Sequence, residues 1–440
     1  MRDTSRVLAR SEGTPDAASA QSTLAWGLVA LAYAIAFFQR TAVQAFVDNL
    51  ARDFGTGSEG VALLTSAYFC GYVALQVPAG VLVDTFGVRP VILLSQCASA
   101  AGTLLFVESH SLPAATVARF LVACGDALVF TSLIKLVSTR FPIGRFGLMS
   151  GLSQVSGYLG GVLATVPLAL AVVALGWRPP FIAVAIITLA NAVLLAAVLP
   201  PGKRASGAGA KSALASMGAN LRLMGGALGT RAAWGCAGSF AAHFVAVTTL
   251  TAAWGSAMLM NAFNHPRADA NLPLMCFMAA NVVGSVLLGW LVDRLPSCGQ
   301  PLVAAAGARS LLLLALCPAA GLAGSLWVAC VLFSVLGLIA GGTLPLVLRV
   351  LREAYTPAAV GVGLAINLTL SGLATAVIQA LMGWVFRLTW DGTVTSDGPV
   401  YTALGYDLFM ALLVAVSLCG LWTPLLLGVD SAVCARSYKR

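Results

Sequence analysis

Residues Gly80 to Pro90 read GVLVDTFGVRP, which sets an aspartate, a glycine and an arginine in a short break between two long apolar runs. The break returns as GWLVDRL over Gly289 to Leu295, with the same glycine, leucine, valine and aspartate, 289 − 80 = 209 positions later. Pro142 to Gly157 and Pro357 to Gly372 also keep one spacing, 157 − 142 = 372 − 357, and each opens an apolar run after a basic loop. Two homologous halves are the simplest account of signals that recur in pairs.

Composition names the solvent. Of the 440 residues 59% are hydrophobic and only 9% are charged, with a mean hydropathy of +0.92, whereas a water-soluble domain carries roughly a quarter charged residues. The net charge of +9 does not point to nucleic acid, because the basic residues fall in short breaks between apolar runs, as they do on the cytoplasmic side of membrane proteins. The ten cysteines are scattered, with no C-x-x-C and no cysteine–histidine cluster, so neither a zinc site nor a disulfide framework is indicated. No cofactor is expected. The three histidines, 110, 243 and 265, lie far apart and form no H-E-x-x-H, which argues against a membrane-embedded enzyme.

A bilayer core of about 30 Å needs about 20 mostly apolar residues per helix. Cutting the chain at charges, prolines and glycine-rich breaks gives twelve runs, centred near Ala36, Gly71, Gln96, Gly125, Gly160, Thr188, Phe244, Val283, Leu311, Leu336, Gly372 and Val414. With the N-terminus in the cytoplasm, 18 Lys and Arg residues fall in inner segments and 4 in outer loops; the remaining three of the 25, Arg40, Arg119 and Arg309, sit within spans. The expected architecture is an all-α membrane protein with twelve transmembrane helices in two pseudo-symmetric six-helix bundles, both termini cytoplasmic. Residues 1–23 form a cytoplasmic tail, 24–199 the first half, 200–230 a cytoplasmic linker, 231–428 the second half and 429–440 a second tail. The first apolar run is too long, and lacks the cleavage-like end, for a signal peptide.

On these residues the chain resembles the major facilitator superfamily. That family's break between its second and third spans reads G-x-L-x-D-R/K-x-G-R/K-R/K, and Gly80, Leu82, Asp84, Gly87 and Arg89 keep it, while Thr85 and Val88 depart from it. ARFLVACGDA, Ala118 to Ala127, is similar to the family's fourth-span motif. The resemblance implies a monomeric secondary transporter of the cell (inner) membrane working by alternating access. It also gives the aspartates a role. Asp84 accepts hydrogen bonds from a helix N-terminus and pairs with Arg89, and the gate so formed, Gly80, Asp84, Gly87 and Arg89 with Gly289, Asp293 and Arg294 in the copy, holds the halves together on the cytoplasmic side. The alternative is a set of solvated loop charges.

Ionisable groups within spans usually mark substrate or proton pathways. Asp126 is the one acid near the middle of a span, Arg119 stands two turns before it on the same face, and Arg40 lies in the first span. Arg40 and Arg119 are placed to attract an anion, and Asp126, with His243 as a second candidate, to take a proton. A structural ion pair of Arg119 with Asp126 and a packing role for His243 are the competing readings; Arg309 reads as a snorkelling or interhelical residue. The trio resembles the anion:cation symporter branch, which moves organic anions with protons, although Gln39 stands where many members carry an acid. Tyr68, Tyr72, Gln76, Gln154, Tyr158, Trp254, Asn281, Asn367 and Gln379 are candidate cavity residues, and Gly157, Gly160 and Gly161 suggest close helix packing. Small-molecule substrate, protons and lipid are the expected partners. Transport of dipeptides or amino-acid derivatives, export of a metabolite or drug, and a sensor that has lost transport are the other functions kept open.

Overall fold

The computed structural model describes residues 20–56, 58–164, 166–200, 218, 231–250, 255, 258–259, 272–295, 299–318, 321, 325–354, 360–389, 394–395, 398–399 and 401–420. Residues 1–19 of the first tail, the whole second tail, nearly all of the 200–230 linker and Trp254 lie outside them, while 20–23, expected in the first tail, are the opening turn of a helix. The described chain is helical apart from one two-residue strand pair, Val394–Thr395 with Gly398–Pro399. In lipid a backbone with no water to bond must satisfy itself, and the helix does so within one segment. In chain order the helices are α1 (Ala20–Ala42), α2 (Val47–Asp53), α3 (Ser58–Phe86), α4 (Val88–Val107), α5 (Leu112–Arg140), α6 (Phe146–Leu163), α7 (Val166–Leu175), α8 (Arg178–Val198), α9 (Arg231–Thr249), α10 (Leu272–Val292), α11 (Gly299–Ala315), α12 (Leu326–Ala354), α13 (Val360–Thr389) and α14 (Ala403–Cys419).

Seven of these are long and apolar enough to cross a membrane: α1, α4, α5, α8, α10, α12 and the 366–386 part of α13. The segments Ser66–Gln76 and Pro78–Phe86 of α3, bent by 48°, make an eighth if they are one span. Pro78 supplies the bend, since it has no N–H to give to the helix ladder. The helices over the centres expected at Leu311 and Val414 are shorter, and those over Gly160 and Phe244 are not among the seven, so the described residues contain seven or more helices fit to cross. Large apolar side chains face outward along the bundle, among them Leu159, Val193, Leu311 and Val377, a surface suited to lipid rather than water.

The opening break ends α3 where Gly87 takes φ 81°, a left-handed geometry in which a Cβ is strained, and α4 begins at the next residue. Packing runs α3 on α5, α4 on α5 and α8, and α1 on α5, α6 and α8; in the second half of the chain α10 lies on α12 and α9 on α13 and α14. The halves meet where α6 packs on α10 and α12, and α3 on α13. Glycines let α6 come close on both sides. A Cβ at Gly160 would overlap the Ala34 carbonyl of α1, one at Gly151 the Ser285 carbonyl of α10, and those at Gly147 and Gly289 each other's carbonyls. Gly161, by contrast, makes no such approach. A core cluster joins Leu133, Ile134, Val137 and Phe141 of the first half to Leu344, Leu346, Val347 and Leu364 of the second, so the bundle is closed at the end that carries Asp84 and Asp293.

Candidate functional site

The helices bring four polar stripes together in the first half. Asp126 of α5 is 2% exposed. Its Oδ1 accepts from the Ser99 hydroxyl of α4 at 2.8 Å and its Oδ2 from the Tyr68 hydroxyl of α3 at 2.9 Å. Ser99 in turn accepts from Gln39 Nε2 of α1 at 2.9 Å, and Thr103 Oγ1 lies 3.0 Å from Gln39 Oε1. Arg119 Nη2 donates to the backbone carbonyl of Gln39 at 2.9 Å. One network thus runs from the buried acid to the residue beside Arg40. A buried carboxylate is costly unless it is hydrogen-bonded, and here neutral hydroxyls supply the donors.

Arg119 and Asp126 do not form the ion pair that was the competing reading. The described residues contain two ion pairs, Lys135–Asp84 and Arg178–Asp53. Arg119 instead stacks its guanidinium on Tyr68, 4.8 Å from the ring centre, and its Nε and Nη1 are buried without a hydrogen-bond partner. Arg40 lies half-buried between the Phe37 and Tyr72 rings, at 4.6 and 4.4 Å, with Nε unpartnered. Ring quadrupoles hold a cation in place without neutralising it. Phe37 meets Tyr158 of α6 edge-on at 6.1 Å, and Tyr33 of α1 donates to Gln154 of α6 at 3.0 Å, so α6 closes the aromatic wall around Arg40.

The second half holds a separate basic cluster. Arg309 of α11 is 1% exposed, donates through Nε to Ser417 of α14 at 2.8 Å and places Nη1 3.4 Å from His243 Nδ1 of α9. Arg309 therefore ties helices together and does not snorkel. An arginine only donates, so Nδ1 of His243 is the acceptor and its ring is neutral in this arrangement. Asn281 of α10 is buried, Asn367 of α13 donates to its own helix at Gly363, and Gln379 is half-buried.

At the closed end the two copies of the opening motif stand beside different cations. Asp84 bonds to Lys135 of α5, and Arg89, which the resemblance paired with Asp84, donates to the Ala196 carbonyl of α8 at 2.7 Å. The segment just before α13, 355–359, lies outside the described residues. Asp293 accepts from the backbone N–H groups of Gly147 and Leu148 at 2.7 and 2.9 Å, in the first turn of α6 across the seam. The free amides of a helix N-terminus suit an anion there. Arg352 of α12 adds bonds to the Ser138 and Phe141 carbonyls at 2.9 and 3.2 Å. Arg294, in the turn just past α10, stacks on Trp290 of that helix. Sequence reasoning passed over Gln39, Ser99 and Thr103 as site residues. The available signal was the run Ser95, Ser99, Thr103, a hydroxyl every fourth position of an apolar helix.

The profile described as Major Facilitator Superfamily matches residues 29–253, just over half of the 440. The chain belongs to the major facilitator superfamily. It is a multi-pass membrane transporter, not an enzyme. Within the superfamily it is 25% identical over 170 residues to a probable sulfoacetate transporter, SauU, of Cupriavidus necator, covering 39% of this chain and 40% of that one. The matched part thus spans about two fifths of that relative's length. It is 24% identical over 307 residues to a probable galactarate/D-glucarate transporter, GudP, of Bacillus subtilis, covering 63% and 67%. The solved proton:xylose symporter XylE shares the fold at TM-score 0.69 and 14% identity, over 91% of this chain and 95% of that one. Several relatives matched by sequence are named as carriers of organic anions, in keeping with the anion:cation symporter branch, and another is a quinolone resistance transporter of Acinetobacter baumannii, 28% identical over 37% of this chain and 38% of that one.

Proposed function

We propose that this transporter takes up small organic anions together with protons, by alternating access across the cell (inner) membrane. The observation that carries the reading is the division of labour in the first half. Arg40, fixed between Phe37 and Tyr72, has no carboxylate partner among the described residues, while Asp126, the buried acid, is held by two hydroxyls rather than by an arginine. Arg40 is then the seat of the substrate's acid group, and Arg119, bonded to the carbonyl just before it, positions it. Asp126 is the proton carrier. When it is ionised Tyr68 and Ser99 donate to it, and when it is protonated one of those hydroxyls turns to accept. Ser99 and Gln39 pass that change to α1 next to Arg40. With a glutamine at position 39, Asp126 is the one carboxylate of the network, and protonating it raises the positive charge facing the anion.

In this proposal the chain has twelve spans, with halves at 24–199 and 231–428 and both termini inside, and acts as a monomer. The end closed by Asp293 and Arg352 is cytoplasmic, the substrate enters from the opposite face, and the Asp293 bonds break for release. The anion-carrying relatives support the substrate class. The test is uptake of sulfoacetate, galactarate and D-glucarate into proteoliposomes under an inward proton gradient. Accumulation should collapse with the gradient; Arg40→Ala should abolish binding, and Asp126→Asn should retain binding and exchange but lose accumulation. Gradient-driven accumulation by Asp126→Asn sinks the proton role, and uptake of dipeptides in place of all three acids moves the reading to a carrier of zwitterions.

A further inference from the structure

Four polar groups that this mechanism leaves unused stand on three helices that pack together, two from the first half and one from the second. Gln76 of α3 is 2% exposed and neither Nε2 nor Oε1 has a hydrogen-bond partner. Thr131 Oγ1 of α5, and Asn367 Oδ1 and Thr369 Oγ1 of α13, are buried and unpartnered as well. The helix α3 packs on both α5 and α13, and Leu364 clusters with Ile134 and Val137, which sets the start of α13 beside the end of α5. Gln76 lies 86 − 76 = 10 residues from the end of α3, Thr131 lies 140 − 131 = 9 from the end of α5, and Asn367 and Thr369 lie 7 and 9 from the start of α13 at Val360. At 1.5 Å per residue, each lies roughly 10–15 Å along its own helix from the end at the closed side. Tyr72, which carries Arg40 on its ring, is one turn of α3 away on the same stripe as Gln76. Nearer the closed end, the ion pair of Asp84 with Lys135 is the next polar layer.

We propose that Gln76, Thr131, Asn367 and Thr369 form an uncharged subsite that binds the hydroxylated tail of the anion whose acid group sits on Arg40. This rests on the anion reading above. A buried amide or hydroxyl left unmade is costly, so the groups here are poised for a partner. Gln76 offers one acceptor and an amide donor side by side. A hydroxyl both gives and takes and satisfies the pair, a second carboxylate only accepts, and a methylene does neither. Because α3 and α5 belong to one half and α13 to the other, a hydroxylated tail also bridges the seam that must move during transport. The substrate class is then a short polyhydroxy acid, not a plain alkyl acid.

The test is equilibrium binding of D-gluconate, its C2 epimer D-mannonate, hexanoate and sulfoacetate to the purified full-length protein. At least one of the two hydroxy acids should bind about tenfold or more tightly than hexanoate, since a site built to hydrogen-bond a hydroxyl rejects the analogue without it. Gln76→Met, which keeps the length and removes the amide, and Asn367→Leu in the other half should each bring that ratio below about threefold while moving hexanoate affinity less than about twofold. Thermal unfolding of ligand-free Gln76→Met should occur at or above the wild-type temperature, because an unpartnered buried amide has been replaced by an apolar group. Hexanoate bound as tightly as both hydroxy acids, sulfoacetate bound with neither of them, or a preference that survives both substitutions overturns the subsite and leaves anion transport standing. Retention of none of the four acids overturns the transport reading and the subsite with it.

Discussion

The two copies of the Gly-x-Leu-Val-Asp break share a sequence and stand beside different cations. Asp84 pairs with Lys135 of its own half, and Asp293 reaches across the seam to the first turn of α6. Lys135 puts its ammonium on the Asp84 carboxylate, while Arg349 of α12 donates to the Val292 and Leu295 carbonyls either side of Asp293. A repeated motif therefore fixes where an acid stands and not which cation stands beside it.

The comparison breaks most severely at Lys135. Lys135→Met takes the ammonium away from a carboxylate whose side chain is fully shielded from solvent, and should cost about 3–5 kcal/mol of stability. The double change with Asp84→Leu should recover most of it, and thermal unfolding of the three variants against wild type checks this. Next comes the clasp. Asp293→Ala removes the acceptor of two charge-assisted bonds, worth about 1.5–3 kcal/mol, which makes a shift of about tenfold or more toward an open seam. A cysteine at Ser150 of α6, in a background without native cysteines, should be alkylated faster by that factor. An unchanged rate would remove Asp293 from the clasp.

Smaller effects sharpen the picture. Gly87→Ala meets the left-handed backbone of the first break and should lose about 1 kcal/mol or more, read as a lower unfolding temperature. The least expected effect is at the far end, where Asp53 receives the Trp177 indole N–H and an Arg178 guanidinium, which hold its carboxyl below the usual range. A depressed carboxyl stabilises the fold above its unfolded pKa of about 4 and stops doing so as pH falls through the lower folded value. Asp53→Asn should therefore flatten the acid limb of the stability profile slightly and change little at neutral pH, as befits an exposed pair.

Much of the candidate site was legible because the bilayer makes each charge conspicuous. Arg40, Arg119 and Asp126 stand out in apolar runs, and the Tyr68, Tyr72, Gln76 stripe follows from helical spacing. Their partners were hidden. Gln39, Ser99 and Thr103 are ordinary in composition, and only packing α4 and α1 against α5 turned them into the shell of Asp126. The same packing replaced an Arg119–Asp126 pair, seven residues apart on one helix, by bonds to other helices.

Apolar run length and isolated ionisable residues are local properties that the bilayer reads directly, so the solvent, the family and the positions of the buried charges are legible in the chain. Who bonds whom is set by packing. Hydrogen bonds act over about 3 Å, and whether a carboxylate meets a lysine, a hydroxyl or a helix terminus depends on which helix lies within that reach. That is why Asp84 and Asp293, set in the same repeated letters, end up beside different cations.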